Sequence, residues 1–409
     1  MIRLRQLWKT VRSSLWFVPA LIVSGAIALA LVLIEADTRI SHRMLEDWPR
    51  LFGAGADGAR GMLAAIAGSM ITVVGVTFSI TIVAISLASS QYTSRILRNF
   101  TSDRANQVVL GVFLGIFTYC LIVLRTIRGG SEGMFVPSLA VLAGVALAIV
   151  GVGFLIFFIH HIASSIQASS IIASASEETI KAIDKLFPQE LGEEADQEDN
   201  QEVSRSVAGA AWHALAAQTT GYIQSIEAKS LLEFACERQT VLRMERGVGE
   251  FVVEGTPLAS LLTANEPDER ASKTLADAYT ISRYRTVEQD AAFGIRQIVD
   301  IALKALSPGV NDTTTAVTCV DYLSAIMVRL ACRRFETPYR FDAGELRVIA
   351  KSRTFEMFVN ESFDQIRESA EANVAVLLRM LHSIKTVAAF TKVARRRQVL
   401  LKQVELIAE

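Results

Sequence analysis

The sequence predicts an α-helical membrane protein with four transmembrane helices, followed by a cytosolic α+β region: a small β-module and then a helical domain. Three observations predict it. Four long, nearly uncharged stretches lie between Leu15 and Ile159. An acidic tract, QELGEEADQEDNQE, then carries seven acids without one Lys or Arg. Beyond it the apolar pattern changes, first to short runs divided by glycines and then to amphipathic helical periods. The boundaries so drawn are 1–165 for the membrane domain, 166–204 for a juxtamembrane helix and linker, 205–265 for the β-module and 266–409 for the helical domain.

The first span is Leu15 to Ile34, 20 uncharged residues with Trp16 at its mouth and Pro19 in its first turn. Arg3, Arg5, Lys9 and Arg12 precede it with no acid among them. A signal peptide is the competing reading, because Ala26, Ala28 and Ala30 are small. An apolar core of about 7–15 residues is usual there, so the longer run reads as a retained helix.

The second stretch, Gly61 to Thr93, holds no charge. Stepping alternately by four and three picks out Gly61, Ala65, Gly68, Thr72, Gly75, Ser79, Ile82, Ser86, Ser89 and Thr93, all small except Ile82. That step keeps them on one helix face. One helix of this length runs about 50 Å against about 30 Å of hydrocarbon, so it should project from the bilayer. A stripe of Gly, Ala, Ser and Thr either lets another backbone approach closely or lines a wet path. On the second reading the lining residues are Thr72, Gly75, Ser79, Ser86, Ser89 and Thr93.

Val108 to Leu124 is a third span with Gly111 and Gly115 as a GxxxG pair, and Val136 to Ile159 a fourth with Ala140, Gly144, Ala148 and Gly151 on one side. Four spans put both termini on one side. Basic residues at the N-terminus and after the second span (Arg95, Arg98, Arg104) place that side in the cytoplasm, although the Lys and Arg counts of the two sides are nearly even. The fourth span is expected to run on as a helix through Ile183, with Pro188 ending it.

Past the acidic linker, GYIQSI, QTVLRM and EFVVEG read as short strands divided by Gly247, Gly249 and Gly255. No lysine sits at a hairpin tip to carry biotin or lipoate, and no cofactor is expected. Beyond Ala271 the chain reads as helical, with two amphipathic helices around a break at Ser307-Pro308-Gly309-Val310-Asn311-Asp312-Thr313 and one or two more from Asn360 to Ile407.

That break is the most specific polar piece. Asn311, Asp312 or Thr313 can cap the following helix by accepting its free N–H groups. Alternatively Ser307, Pro308, Gly309, Asn311 and Asp312 belong to a ligand or ion site completed by Arg285, Glu288, Gln289 and Asp290 of the preceding RTVEQD. His160 and His161 stand where the fourth span leaves the membrane. Adjacent side chains point about 100° apart on a helix, so the two cannot share one metal from one face. They read as interface residues bonded to neighbours, with pH sensing as the alternative because histidine titrates near neutrality. Arg395, Arg396 and Arg397 read as a solvated face, with anionic lipid contact as the alternative.

The formal net charge of −1 gives no case for a nucleic-acid partner. Cysteines at 120, 236, 319 and 332 lack paired spacing, which argues against a disulfide framework or a zinc site and reads as buried thiols. No GxSxG, P-loop, GxGxxG or HExxH pattern is present, so neither an enzymatic activity nor a metal centre is expected.

FSITIVAISLASSQYTSRILRNF, FIHHIASSIQ, RTVEQDAAFGIRQIVDIALKALSPGVND and GEFVVEGTPLASL together resemble a bacterial family of multi-spanning membrane proteins, domain-of-unknown-function family 2254. The resemblance covers nearly the whole chain with the motifs in order. It implies a bacterial inner-membrane location and a cytosolic C-terminal domain, and it implies no reaction. Where that family has SPGxNDP, Thr313 replaces the last proline, which leaves the next helix start less rigidly set. The expectation is therefore a homo-oligomeric channel-like conduit in the lipid bilayer, passing a small ion along the second span and regulated by its cytosolic domain. A membrane-anchored sensor or scaffold is the alternative. The layout is like that of small-conductance mechanosensitive channels, by analogy only.

Overall fold

The computed structural model describes residues 16–40, 55–91, 103–128, 135–187, 211–263, 268–335 and 337–409. The chain divides into two compact units at Gln167 and Ala168.

The first unit holds helices α1 (Phe17–Ile40), α2 (Ala56–Gln91), α3 (Arg104–Thr126) and α4 (Ser138–Ser165). All four are long and apolar enough to cross a membrane. Helix α3 is the central one, and its glycines explain why. A Cβ on Gly111 would lie 2.9 Å from the Pro19 Cα of α1, and one on Gly115 would lie 3.4 Å from the Ala26 Cβ, so the GxxxG pair seats α1. On α4, Gly144 receives Leu63 of α2, and Gly151 receives Ile116 of α3 beside Met70. Leu63, Phe113, Tyr119, Val123 and Ala140 are fully enclosed in the resulting core.

Polar groups tie one end of this bundle. Asp37, near the end of α1, accepts hydrogen bonds from the Leu139 and Ala140 N–H groups, both at 3.0 Å, and so caps α4 from another helix. Tyr119 donates to the Ala140 carbonyl at 2.7 Å. Arg60 of α2 donates to the Ile127 carbonyl just past the end of α3, at 3.1 Å.

In the second unit, α5 (Ala168–Leu186) comes first. It does not continue α4, as the sequence led us to expect. Ile166 bonds back to the Ile162 carbonyl and a turn separates the two helices. The cause is local: Ser164, Ser165, Ser169 and Ser170 cluster around the break, and serine hydroxyls compete with helical hydrogen bonds.

Next come β1 (Trp212–Ala216), β2 (Gly221–Ile226), α6 (Ala228–Glu237), β3 (Leu242–Met244), β4 (Phe251–Val252), β5 (Pro257–Leu262), α7 (Glu269–Ala278) and β6 (Tyr279–Ser282). Then follow α8 (Ala291–Leu306), α9 (Thr313–Ala331), β7 (Tyr339–Asp342), β8 (Glu345–Ile349), α10 (Phe355–Ser369), α11 (Val374–Phe390) and α12 (Ala394–Ala408). The strands form one sheet in the order β1-β5-β3-β8-β7 and another in the order β4-β2-β6. Thus β6, β7 and β8 come from the stretch read as purely helical, and the β-module reaches past residue 265. Strand β8 joins it by pairing in parallel with β3, Leu242 opposite Val348. Ile223, Leu242, Leu258 and Val348 lie buried in its core.

Helices α8 and α9 form the core of the helical part. Nearly every apolar side chain of α8 is enclosed. Gly294 lets α5 cross so closely that a Cβ there would stand 1.9 Å from the Thr179 hydroxyl. Helix α9 is the fifth described helix long and apolar enough to span a bilayer, one more than the four read from sequence.

Candidate functional site

On α2 the stripe faces out of the bundle. Gly61, Ala65, Gly68, Thr72, Gly75, Ser79, Ile82 and Ser86 are all exposed, whereas Leu63, Ala67, Met70, Thr77 and Ala84 are buried against neighbouring helices. A Cβ built on Gly61, Gly68 or Gly75 meets nothing within 4 Å. Among the described residues no helix packs against Gly61, Gly68 or Gly75, in contrast to the glycines of α3 and α4. The three glycines recur at seven-residue spacing, with Ala65, Thr72, Ser79 and Ser86 on the second seven-residue row beside them. Thr72 donates its hydroxyl to the Gly68 carbonyl at 2.8 Å, so its hydrogen is satisfied within the helix. The side chain of Ser89 and the whole of Thr93 lie outside the described residues.

The ligand constellation read around the α8–α9 break is not brought together. Helix α8 separates its two halves by about 24 Å, so no small ligand touches both. At the first end, Asp290 is buried, accepts from the Phe293 N–H at 3.2 Å and pairs with Arg285 at 2.7 Å. Arg285 also lies over the Phe293 ring, 5.0 Å from its centre. Gln289 accepts from the Ile226 N–H at 3.2 Å, and Glu288 is exposed. Gly249, at φ +84°, lies against this pair; a Cβ there would fall 2.2 Å from the Asp290 carboxylate. The arrangement clasps the β-module to the start of α8.

At the other end the break behaves as a cap. Val310 and Asn311 N–H groups bond to the Ser307 carbonyl at 3.0 and 2.9 Å, and the Asp312 N–H bonds to that of Ala305 at 2.8 Å. Asn311 takes φ +48°, a conformation asparagine tolerates. Asp312 accepts from the Thr315 N–H at 3.0 Å and from its hydroxyl. These bonds, the side-chain one first, hold its carboxyl below the usual carboxylate range. Pro308 and Gly309 are exposed. Thr313, in place of a proline, is itself used: it accepts from the Asn373 amide at 2.7 Å, and Asn373 in turn caps α11.

The two interface histidines part company. His160 is exposed, while His161 Nε2 lies 2.5 Å from Asp103 Oδ2. Three arginines whose role sequence reasoning missed are structural. Arg396 is buried, donates to the Ala331 and Arg333 carbonyls, and lies over the rings of Phe335 and Phe355 at 4.8 and 5.2 Å. Only Arg395 and Arg397 of that run are exposed. Arg329 and Arg333 converge on Asp184. The i, i+4 spacing of Arg329 and Arg333 was the available signal: Arg329 lies in the last turn of α9 and Arg333 two residues past its end, where both still reach Asp184.

Among the described residues no group of three His, Cys, Asp or Glu side chains is placed to hold a metal ion. No solved structure matches the chain. It is 32% identical, over 97% of its own length and 76% of theirs, to uncharacterized protein MT1328 of Mycobacterium tuberculosis and uncharacterized protein Mb1321c of Mycobacterium bovis. The family model described as predicted membrane protein (DUF2254) matches residues 12–386, and the chain belongs to that family.

Proposed function

We propose that this membrane protein is a homo-oligomeric conduit of the bacterial inner membrane, lined by α2 and regulated by its cytosolic region, and that it passes a small ion. What carries the reading is the outward stripe: Gly68, Thr72, Gly75, Ser79 and Ser86 are exposed, and the glycines have open space before them. Lipid chains gain little from a hydroxyl-bearing face without bulk, whereas a second α2 or a water path is suited by it. In this reading α1 to α4 cross the membrane, both termini are cytosolic, and α9 stays in the cytosol. The last point is supported by α5, α8 and α11 packing around α9, by its Asp312 cap and by the pairing of Arg329 with Asp184.

The protein is not an enzyme in this reading. A ligand sensor would need free polar groups, and those best placed for it, Asp290 and Asp312, are engaged as caps. The test is ion flux through liposomes holding the purified full-length protein, under voltage, tension or a pH step. Wild type should conduct, and Ser79→Lys should change the flux while far-UV circular dichroism stays the same. Absence of flux under all three stimuli would remove the conduit.

A further inference from the structure

The end of the bundle where α3 begins and α4 ends holds a paired histidine and carboxylate that the conduit reading does not use. We propose that His161 and Asp103 form a protonation-controlled latch, which holds the first turn of α3 against the last turns of α4 and opens as the imidazole loses its proton. The geometry is specific. Asp103 bonds by one oxygen to the Ala105 N–H at 2.9 Å, which caps α3, and by the other to His161 at 2.5 Å. His161 stacks on Phe157 at 5.6 Å and 13°, which fixes the ring plane, and Ser165 donates to the His161 carbonyl at 2.7 Å. The pair is only partly exposed, 27% for His161 and 23% for Asp103, so water reaches it without screening it fully.

Among the described residues the charged neighbourhood is sparse. On α3 the other charge nearby is the exposed Arg104, and on α4 the exposed His160. The packed helices bring none among the described residues: α1 is uncharged from Phe17 to Ile34, and α2 from Gly61 to Gln91. The contact strength therefore follows the charge on His161 itself. As imidazolium it makes a charge-assisted bond, roughly twice as strong as a neutral one, and as imidazole it keeps only a hydrogen bond from one tautomer.

A second feature biases the latch toward opening. In the first turn of α3, Asn106 and Gln107 are both buried, and their side-chain oxygens Oδ1 and Oε1 have no hydrogen-bond partner among the described residues. Buried acceptors without partners disfavour the closed arrangement, and admitting water to the start of α3 relieves them. Among the described residues, one titratable contact thus holds the closed state against a built-in demand for hydration. That makes the element two-state and not merely packed.

Hydrogen exchange of the full-length protein in nanodiscs tests this, with the same buffer on both faces so that orientation does not matter. Peptides spanning 103–115 and 155–166 are compared between wild type and His161→Gln at each pH, which cancels the intrinsic pH dependence of exchange. His161→Gln keeps a neutral donor, and Asp103→Asn keeps the cap but not the charge. Wild type should exchange about five- to tenfold more slowly than either variant at pH 5.5, and within about twofold of both at pH 8. A ratio that does not change with pH would overturn the latch. So would equal protection in wild type and both variants at pH 5.5. A variant with raised exchange in the other helices of the bundle is misfolded; the wild-type profile then decides alone, since pH-independent protection after intrinsic correction again overturns it.

Discussion

Asp184 shows how single polar residues hold the second unit together. It receives Arg329 at 2.6 and 2.8 Å and Arg333 at 2.6 Å. The hydrogen bonds from Arg329, and then those from Arg333, outweigh partial burial and hold its carboxyl below the usual carboxylate range. A carboxyl lowered in the folded state stabilises that state above its unfolded value, near 3.9, and the contribution is lost as pH falls through the lowered folded value. Asp184→Asn should therefore cost about 1–2 kcal/mol at pH 7, after allowance for solvent screening. Thermal unfolding of the full chain in detergent at pH 7, 5 and 3 checks this: the gap between variant and wild type should narrow only toward the lowest pH. An equal gap at all three would remove the charge from the explanation. Arg396 carries the same lesson by another route. Its place in an Arg-Arg-Arg run says solvent, while its position over Phe335 and Phe355 makes it the C-terminal cap of α9.

At the scale of elements, the glycines divide into two groups that composition alone does not separate. Gly111 and Gly144 are close-contact positions inside the bundle, and Gly68 and Gly75 face open space. Gly111→Leu should therefore destabilise the subunit by about 1–3 kcal/mol or more through overpacking. Gly75→Leu should leave the subunit's melting temperature unchanged and lower ion flux through liposomes, because its bulk enters the water path. A Gly75→Leu subunit that melts like Gly111→Leu would mean that the stripe packs internally after all. The helices were legible because long uncharged runs and the 3.6 period speak through local chemistry: α2 begins at Ala56, near the expected Gly61, and α8 and α9 flank the SPGVND break as read. The strands β7 and β8 were not legible, because YRFD and ELRVI are short and charged; β7 pairs with β8, and only the parallel pairing of β8 with distant β3 carries them into the sheet. The composite ligand site failed for a related reason. Residues close in sequence to either end of α8 are kept apart by the rigid length of that helix.

At the scale of the whole molecule, the membrane unit presents an α2 whose exposed residues include the stripe Gly61, Ala65, Gly68, Thr72, Gly75, Ser79 and Ser86. Exposed Phe78, Val76 and Val83 flank that face, and Met70 lies inside the bundle. A helix built this way is poorly matched to lipid alone, and the match improves if copies bring their stripes together around water. The direct measurement is a cysteine scan of α2 in the full-length protein in liposomes, with cysteines 120, 236, 319 and 332 first replaced and a membrane-impermeant thiol reagent applied. If the stripe lines a conduit, Thr72→Cys, Ser79→Cys and Ser86→Cys label at the seven-residue period, while Phe78→Cys, facing lipid, and Met70→Cys, facing the core, do not. Shielding at all three stripe positions, or labelling that ignores the period, would contradict it.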